Sequence, residues 1–197
     1  MIAYKPKVHR GSLGSEWNRA IKRSVAIFLS IEGILLSGTI FCTSPLQVSA
    51  NSNSVQVYED EIPENIRQYC ELVGTEFNIC PELLEAIAFR ESSFKPDARN
   101  GLHVGLMQIN VKVHADRIAS YGWTAEDMTD AYKNLMVAGD YLAELYEKYG
   151  DDNPIVLGYY SGNTKSVAKY KEYGFLCPYV EDVLERSANY ETLHNKK

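Results

Sequence analysis

Residues 81–98 read PELLEAIAFRESSFKPDA. Pro81 suits the first turn of a helix, where its missing N–H leaves no bond unmade. The twelve residues PELLEAIAFRES form the predicted helix. Within it Leu84, Ile87, Ala88 and Glu91 follow the i, i+3, i+4, i+7 spacing of a buried face, while Glu85 and Arg90 point elsewhere. At 100° per residue, Glu91 lies only about 20° from Leu84 around the axis. A carboxyl group on an apolar stripe has its pKa raised, because desolvation disfavours the charged form. Such a group can act as a general acid near neutral pH. The same phase also fits a carboxylate that closes a helix and pairs with an arginine. The helix position alone leaves both readings open.

Around this helix the chain is a series of helical patterns separated by turn chemistry. Pro63 opens one that runs to about Phe77. Residues 95–113 contain Pro96, Gly101 and Gly105 without helical period, and read as a loop with a small hairpin. Asp130 to Tyr149 is the longest helical pattern, expected to be capped by Thr129 and stopped by Gly150. Its Leu135, Ala138, Leu142, Leu145 and Tyr149 keep one face apolar. Asn153-Pro154 starts a short helix ending near Gly162, Thr164 caps another to about Tyr173, and Pro178 opens a last one to about Tyr190. Strand signals are weak throughout. The predicted fold class is mainly α, a helical bundle with a small loop or β insert after residue 95.

The front of the chain differs from the rest. Residues 1–23 carry Lys5, Lys7, Arg10, Arg19, Lys22 and Arg23 against Glu16, and Val25 to Cys42 is apolar. Val48-Ser49-Ala50 then supplies small residues of the kind that end a secretory signal. A retained membrane anchor is the alternative, although Glu32 makes a stable span costly. Either reading exports the remainder, as a secreted, wall-associated or membrane-anchored protein. Residues 51–62 are read as a linker and 63–192 as the functional domain. Of 20 basic and 26 acidic residues, six and two fall in residues 1–50, leaving the exported part near −10. That balance argues against nucleic acid, whose binding rests on phosphate neutralisation, and is compatible with a neutral sugar polymer.

Cys42 lies in the leader, leaving Cys70, Cys80 and Cys177. Their spacing fits no metal template, and His9, His103, His114 and His194 are scattered, so neither metal nor cofactor is expected. Cys70 and Cys80 bracket the turn between the first two predicted helices. In an oxidising compartment they could be bridged or stand as two packed thiols.

Four segments in order carry a family resemblance. The chain has Glu91-Ser92-Ser93-Phe94-Lys95-Pro96-Asp97-Ala98, then Gly105-Leu106-Met107-Gln108, then Asn134-Leu135 with Tyr141-Leu142, and finally Gly158-Tyr159-Tyr160-Ser161-Gly162. This resembles the soluble lytic transglycosylases, relatives of goose-type lysozyme, with their E-S-x-F-x-P-x-A, G-L-M-Q, N-L and A-Y-N-x-G segments. The match covers roughly residues 63–190. The resemblance implies a lysozyme-like fold with a glycan cleft, and peptidoglycan strands as the partner of a monomeric enzyme. Any contact with a membrane would be made only through the N-terminal segment.

The resemblance also assigns roles. Glu91 becomes the sole catalytic carboxyl group, with Ser92 supporting it and the substrate. Gly105, Leu106, Met107 and Gln108 line the glycan groove, and Tyr159 stands near the carboxyl group. The implied reaction uses one carboxyl group twice. It first protonates the oxygen between N-acetylmuramic acid and N-acetylglucosamine, then takes a proton from the muramic 6-hydroxyl as that oxygen closes a 1,6-anhydro ring. An intramolecular nucleophile makes the second carboxylate of ordinary glycosidases dispensable. Asp97 and Asp116 are the nearest candidates for such a second group, and both read as structural.

The chain departs from the family at Tyr160, which stands where an Asn is usual. A phenol there is longer than an amide and stacks instead of pairing with an acetamido group. His103 replaces a commoner small residue before G-L-M-Q, as either an exposed loop histidine or a groove residue. Two other functions share these features: a hydrolytic lysozyme, and a non-catalytic glycan-binding module of a secretion or conjugation apparatus. Burial of a carboxyl group gains a pure binder nothing, which argues against the second.

Overall fold

The computed structural model describes residues 62–195. The expected leader (1–50) and all of the expected linker but Ile62 lie outside the described residues. The order of elements is α1 (Glu64–Phe77), α2 (Pro81–Ser92), β1 (Arg99–Asn100), β2 (His103–Val104), β3 (Ile109–Asn110), α3 (Ala115–Ser120), a 3-10 turn (Glu126–Thr129), α4 (Ala131–Tyr149), α5 (Asn153–Tyr160), α6 (Thr164–Tyr173) and α7 (Pro178–His194). The fold is mainly helical, with one small antiparallel sheet in the order β1-β2-β3. In that sheet Asn100 pairs with His103, and His103 in turn with Asn110. No helix among the described residues is long and apolar enough to cross a membrane.

Helix α2 has the bounds its prolines and polar end predict, but its surroundings differ from expectation. It packs between α1 and α7, so residues Leu83 to Ala88 are all buried. A single apolar stripe therefore does not describe it. Glu85, which by helical phase should face away from the core, is fully buried.

Several helix starts shift by a residue, each for a local reason. Asp130, not Thr129, caps α4, its carboxylate accepting from the Lys133 N–H, whereas the Thr129 hydroxyl donates to Glu126 O. Asn163 caps α6 through Ser166 N, in place of Thr164. Helix α7 runs one turn past Tyr190. Helix α3 and the 3-10 turn, between Ala115 and Thr129, are not marked by any pattern in the sequence.

Asn134, buried on α4, holds the sheet region onto the bundle. Its amide donates to Val104 O and Met128 O, both at 2.9 Å, and its Oδ1 accepts from Met107 N at 2.7 Å. Gly105 fits against it with φ +87, and a Cβ there would fall 2.1 Å from Met128 O. Only glycine fits both that conformation and that space.

Of the two readings of Cys70 and Cys80, bridge or separate thiols, the second holds: both are free thiols, as is Cys177. Cys70 is buried in the core, while the Cys80 thiol turns toward α7, donating to Glu82 Oε2 at 3.1 Å with Glu191 Oε1 at 3.6 Å. Burial, with these carboxylates beside it, pushes the Cys80 thiol up to about 12.

Candidate functional site

The C-terminal turn of α2 opens into a cavity of about 290 Å³. The chain leaves α2 sharply, because Ser93 (φ 52) and Phe94 (φ 61) are both left-handed. Two successive non-glycine residues in that region cost on the order of 1 kcal/mol each. The turn sends residues 95–110 back across the helix end. Ser92 fastens it: its Oγ lies 2.7 Å from Leu106 O and accepts from Lys95 N. The cavity is then walled by the sheet on one side and by the middle of α4 and the end of α5 on the other.

Glu91 lines this cavity, and it is the only carboxyl group to do so among the described residues. Burial raises its pKa above the ordinary value. A hydrogen bond from Tyr179 and the charges of Arg90 and His103 oppose that rise. Tyr179 comes from the first turn of α7, its hydroxyl donating to Glu91 Oε1 at 2.7 Å. Burial holds the Tyr179 phenol well above its usual value, so it remains a donor. Arg90 is turned away toward Asp182, 3.3 Å from it. Glu91 is thus partly buried, reachable, and oriented by one fixed donor. Such a group can deliver a proton and take one back.

The family described as Transglycosylase SLT domain matches residues 68–175, more than half of the chain. This chain belongs to that family. Among curated proteins, the SLT-family chain is similar to an "X polypeptide" of Escherichia coli, 33% identical over 102 residues. It is 32% identical, over the same length, to the X polypeptide of Escherichia coli strain K12. In both cases it spans 60% of the relative's length and 49% of its own. Among solved structures it is similar to an inactive mutant of the lytic transglycosylase Slt from Pseudomonas aeruginosa. The TM-score is 0.59 at 18% identity, covering 68% of this chain and 25% of that one, a likeness of fold.

The expected site residues of this SLT-family chain are not all brought together. Glu91, Gln108, His103 and Tyr160 line the cavity. Leu106 and Met107 do not: their side chains are core, and only the Met107 carbonyl takes part, accepting from Tyr160 at 3.0 Å. Gly105 shapes the turn from beneath. Gln108 sits at φ 47 with its amide donating to Gly105 O at 2.9 Å and Ala98 O at 3.2 Å, which leaves its Oε1 for a ligand. Ser92 ties the loop to the helix, outside the lining.

Tyr159 departs furthest from expectation. It stacks on Tyr149, centroids 4.1 Å apart and planes 8° apart, beside Lys148 and Lys171. It is Tyr160 that lies within electrostatic reach of Glu91. One step along α5 turns a side chain by about 100°, and Tyr159 falls outside the lining. Asp97 and Asp116 are both exposed and outside the lining.

Tyr179, His114, Tyr141, Asn100 and Asn110 were missed by sequence reasoning. Tyr141 belongs to the Tyr141-Leu142 pair of the family resemblance, and its helical phase relative to Ala138 is the signal that finds it. Tyr179 lies 88 residues from Glu91, and no local pattern connects them.

Proposed function

We propose that this chain is an exported peptidoglycan lytic transglycosylase that cleaves the β-1,4 bond between N-acetylmuramic acid and N-acetylglucosamine, with Glu91 as acid and then base. The observation that carries this reading is the cavity's single carboxyl group among the described residues, partly buried and held by Tyr179. Protonated Glu91 gives its proton to the bridging oxygen as the C1–O bond breaks. The resulting carboxylate accepts the proton of the muramic 6-hydroxyl while that oxygen bonds to C1. The proton count returns to its starting value and no water is consumed. A hydrolase would need a second group to activate water, and Asp97 and Asp116 are outside the cavity. Residues 1–50 supply the export signal or anchor that brings the domain to its substrate.

Digestion of purified peptidoglycan in isotopically labelled water tests the reaction. The expected product ends in 1,6-anhydro-N-acetylmuramic acid, carries no label, and is lighter by one water than a hydrolysis product. Labelled reducing muramic acid as the main product would make the enzyme a lysozyme. Binding without cleavage would make it a glycan-binding module.

A further inference from the structure

Helices α2 and α7 run antiparallel, so that the start of each meets the end of the other. At the end near the cavity Tyr179, in the first turn of α7, donates to Glu91. At the far end the last turn of α7 meets the first turns of α2. There His194 Nδ1 stands 3.0 Å from Glu82 Oε1, and His194 Nε2 stands 3.8 Å from Glu85 Oε2. The Cys80 thiol donates to Glu82 Oε2 at 3.1 Å and lies 3.6 Å from Glu191 Oε1. None of these far-end groups lines the cavity.

Glu85 is fully buried, and neither of its oxygens has a hydrogen bond. Three carboxyl groups, Glu82, Glu85 and Glu191, thus converge on one imidazole and one thiol. From α1, Arg67 and Glu71 act on Glu85 with opposite signs, Arg67 being held by Glu64 at 2.7 Å, while Cys70 is a buried thiol with a raised pKa. On the α4 side Tyr146 gives its hydroxyl to Asn153, and burial keeps that phenol neutral. An imidazole that donates from Nδ1 to the Glu82 carboxylate has only Nε2 left for Glu85. A proton between Nε2 and Glu85 Oε2 makes that approach attractive, whichever atom carries it. Without that proton a lone pair faces a buried carboxylate, and only water relieves the charge.

We propose that Glu82, Glu85 and His194 form a proton-operated clasp that closes the last turn of α7 over Cys80 and opens as pH rises. Opening swings Glu191 to Asn195 away from α2, hydrates Glu85 and uncovers the Cys80 thiol. The rest of α7, with Tyr179 on Glu91 and Asp182 3.3 Å from Arg90, keeps its place. Burial raises the Glu85 carboxyl from about 4.5 to about 8. The proton therefore supports the closed state fully below about 4.5, and that support is lost as pH rises to about 8.

Amide hydrogen exchange of the full chain, resolved to the last turn of α7, tests the clasp. After correction for intrinsic rates, protection of Glu191 to Asn195 is expected to fall at least about tenfold between about pH 5 and about pH 8, one proton leaving per opening. Low urea should leave this exchange unchanged, as for a local opening, while exchange at Val180 to Ser187 rises with urea. In Glu85→Gln, protection of the last turn should be the same at both pH values; in His194→Ala it should be low at both. Alkylation of Cys80 at about pH 8, located by mass spectrometry, should run about tenfold faster in the wild type than in Glu85→Gln. Protection that ignores pH, or that falls equally in Glu85→Gln, overturns the proposal. Last-turn exchange that rises with urea together with the rest of α7 overturns it too. Should Glu85→Gln fail to fold, a pH dependence that survives in His194→Ala overturns it instead.

Discussion

Helix α2 carries two carboxyl groups less than two turns apart, one fully and one partly buried, and they have opposite surroundings. Glu85 is fully buried, with no hydrogen bond to either oxygen and His194 Nε2 at 3.8 Å. Burial, reinforced by Glu82, pushes its pKa up to about 8. Glu91 has a pKa raised for the same first reason, yet it opens onto a cavity and takes a hydrogen bond from Tyr179. A raised pKa therefore does not distinguish a working acid from a carboxyl group trapped in the core. Access to substrate and a donor that orients the carboxylate do. Glu85 faces α1 and α7 and meets neither condition.

Exchanging the two carboxyl groups for amides should separate them most sharply. Glu91→Gln is expected to lower peptidoglycan cleavage by about 10²–10⁴-fold, the usual contribution of a general acid, with the fold intact. Glu85→Gln should keep most of the activity, because the group touches nothing in the cavity. Turnover assays on purified peptidoglycan check both. Similar losses in the two variants would erase the distinction.

Stability against pH should depend on Glu85 instead. The Glu85 carboxyl is raised from about 4.5 to about 8 on folding. Its stabilising protonated form is fully present below pH 4.5, is lost progressively as pH rises toward 8, and is absent above that. The whole change is on the order of 5 kcal/mol for this group. Wild-type Tm should fall across that interval, and Glu85→Gln should flatten the fall. Identical pH profiles for the two proteins would show that Glu85 ionises freely.

The smallest effect is expected at Tyr179. Its hydrogen bond favours the charged form of Glu91, so Tyr179→Phe should raise the Glu91 pKa further. The acid form would then persist to higher pH, moving the alkaline limb of the rate profile up by roughly one pH unit, the worth of one hydrogen bond to a charged group. A limb that stays in place would mean that Tyr179 only packs against Glu91.

Every helix except α3 and the 3-10 turn is legible in the local sequence, as is the start of α2, because proline, glycine and caps act within a few residues. The sequence also placed Glu91 on a face that meets other elements, and its ordered segments pointed to the SLT family. The tertiary structure alone decided which side chains meet there. Glu85 is buried because α7, a hundred residues later, covers the flank that helical phase assigned to solvent. Tyr160 enters the cavity and Tyr159 leaves it because the angle at which α5 packs selects one of two adjacent tyrosines. Leu106 and Met107 went to the core because Asn134 pulls their loop onto α4. Short-range torsional and capping preferences are written locally. The partners of a buried group are set by elements brought together only on folding.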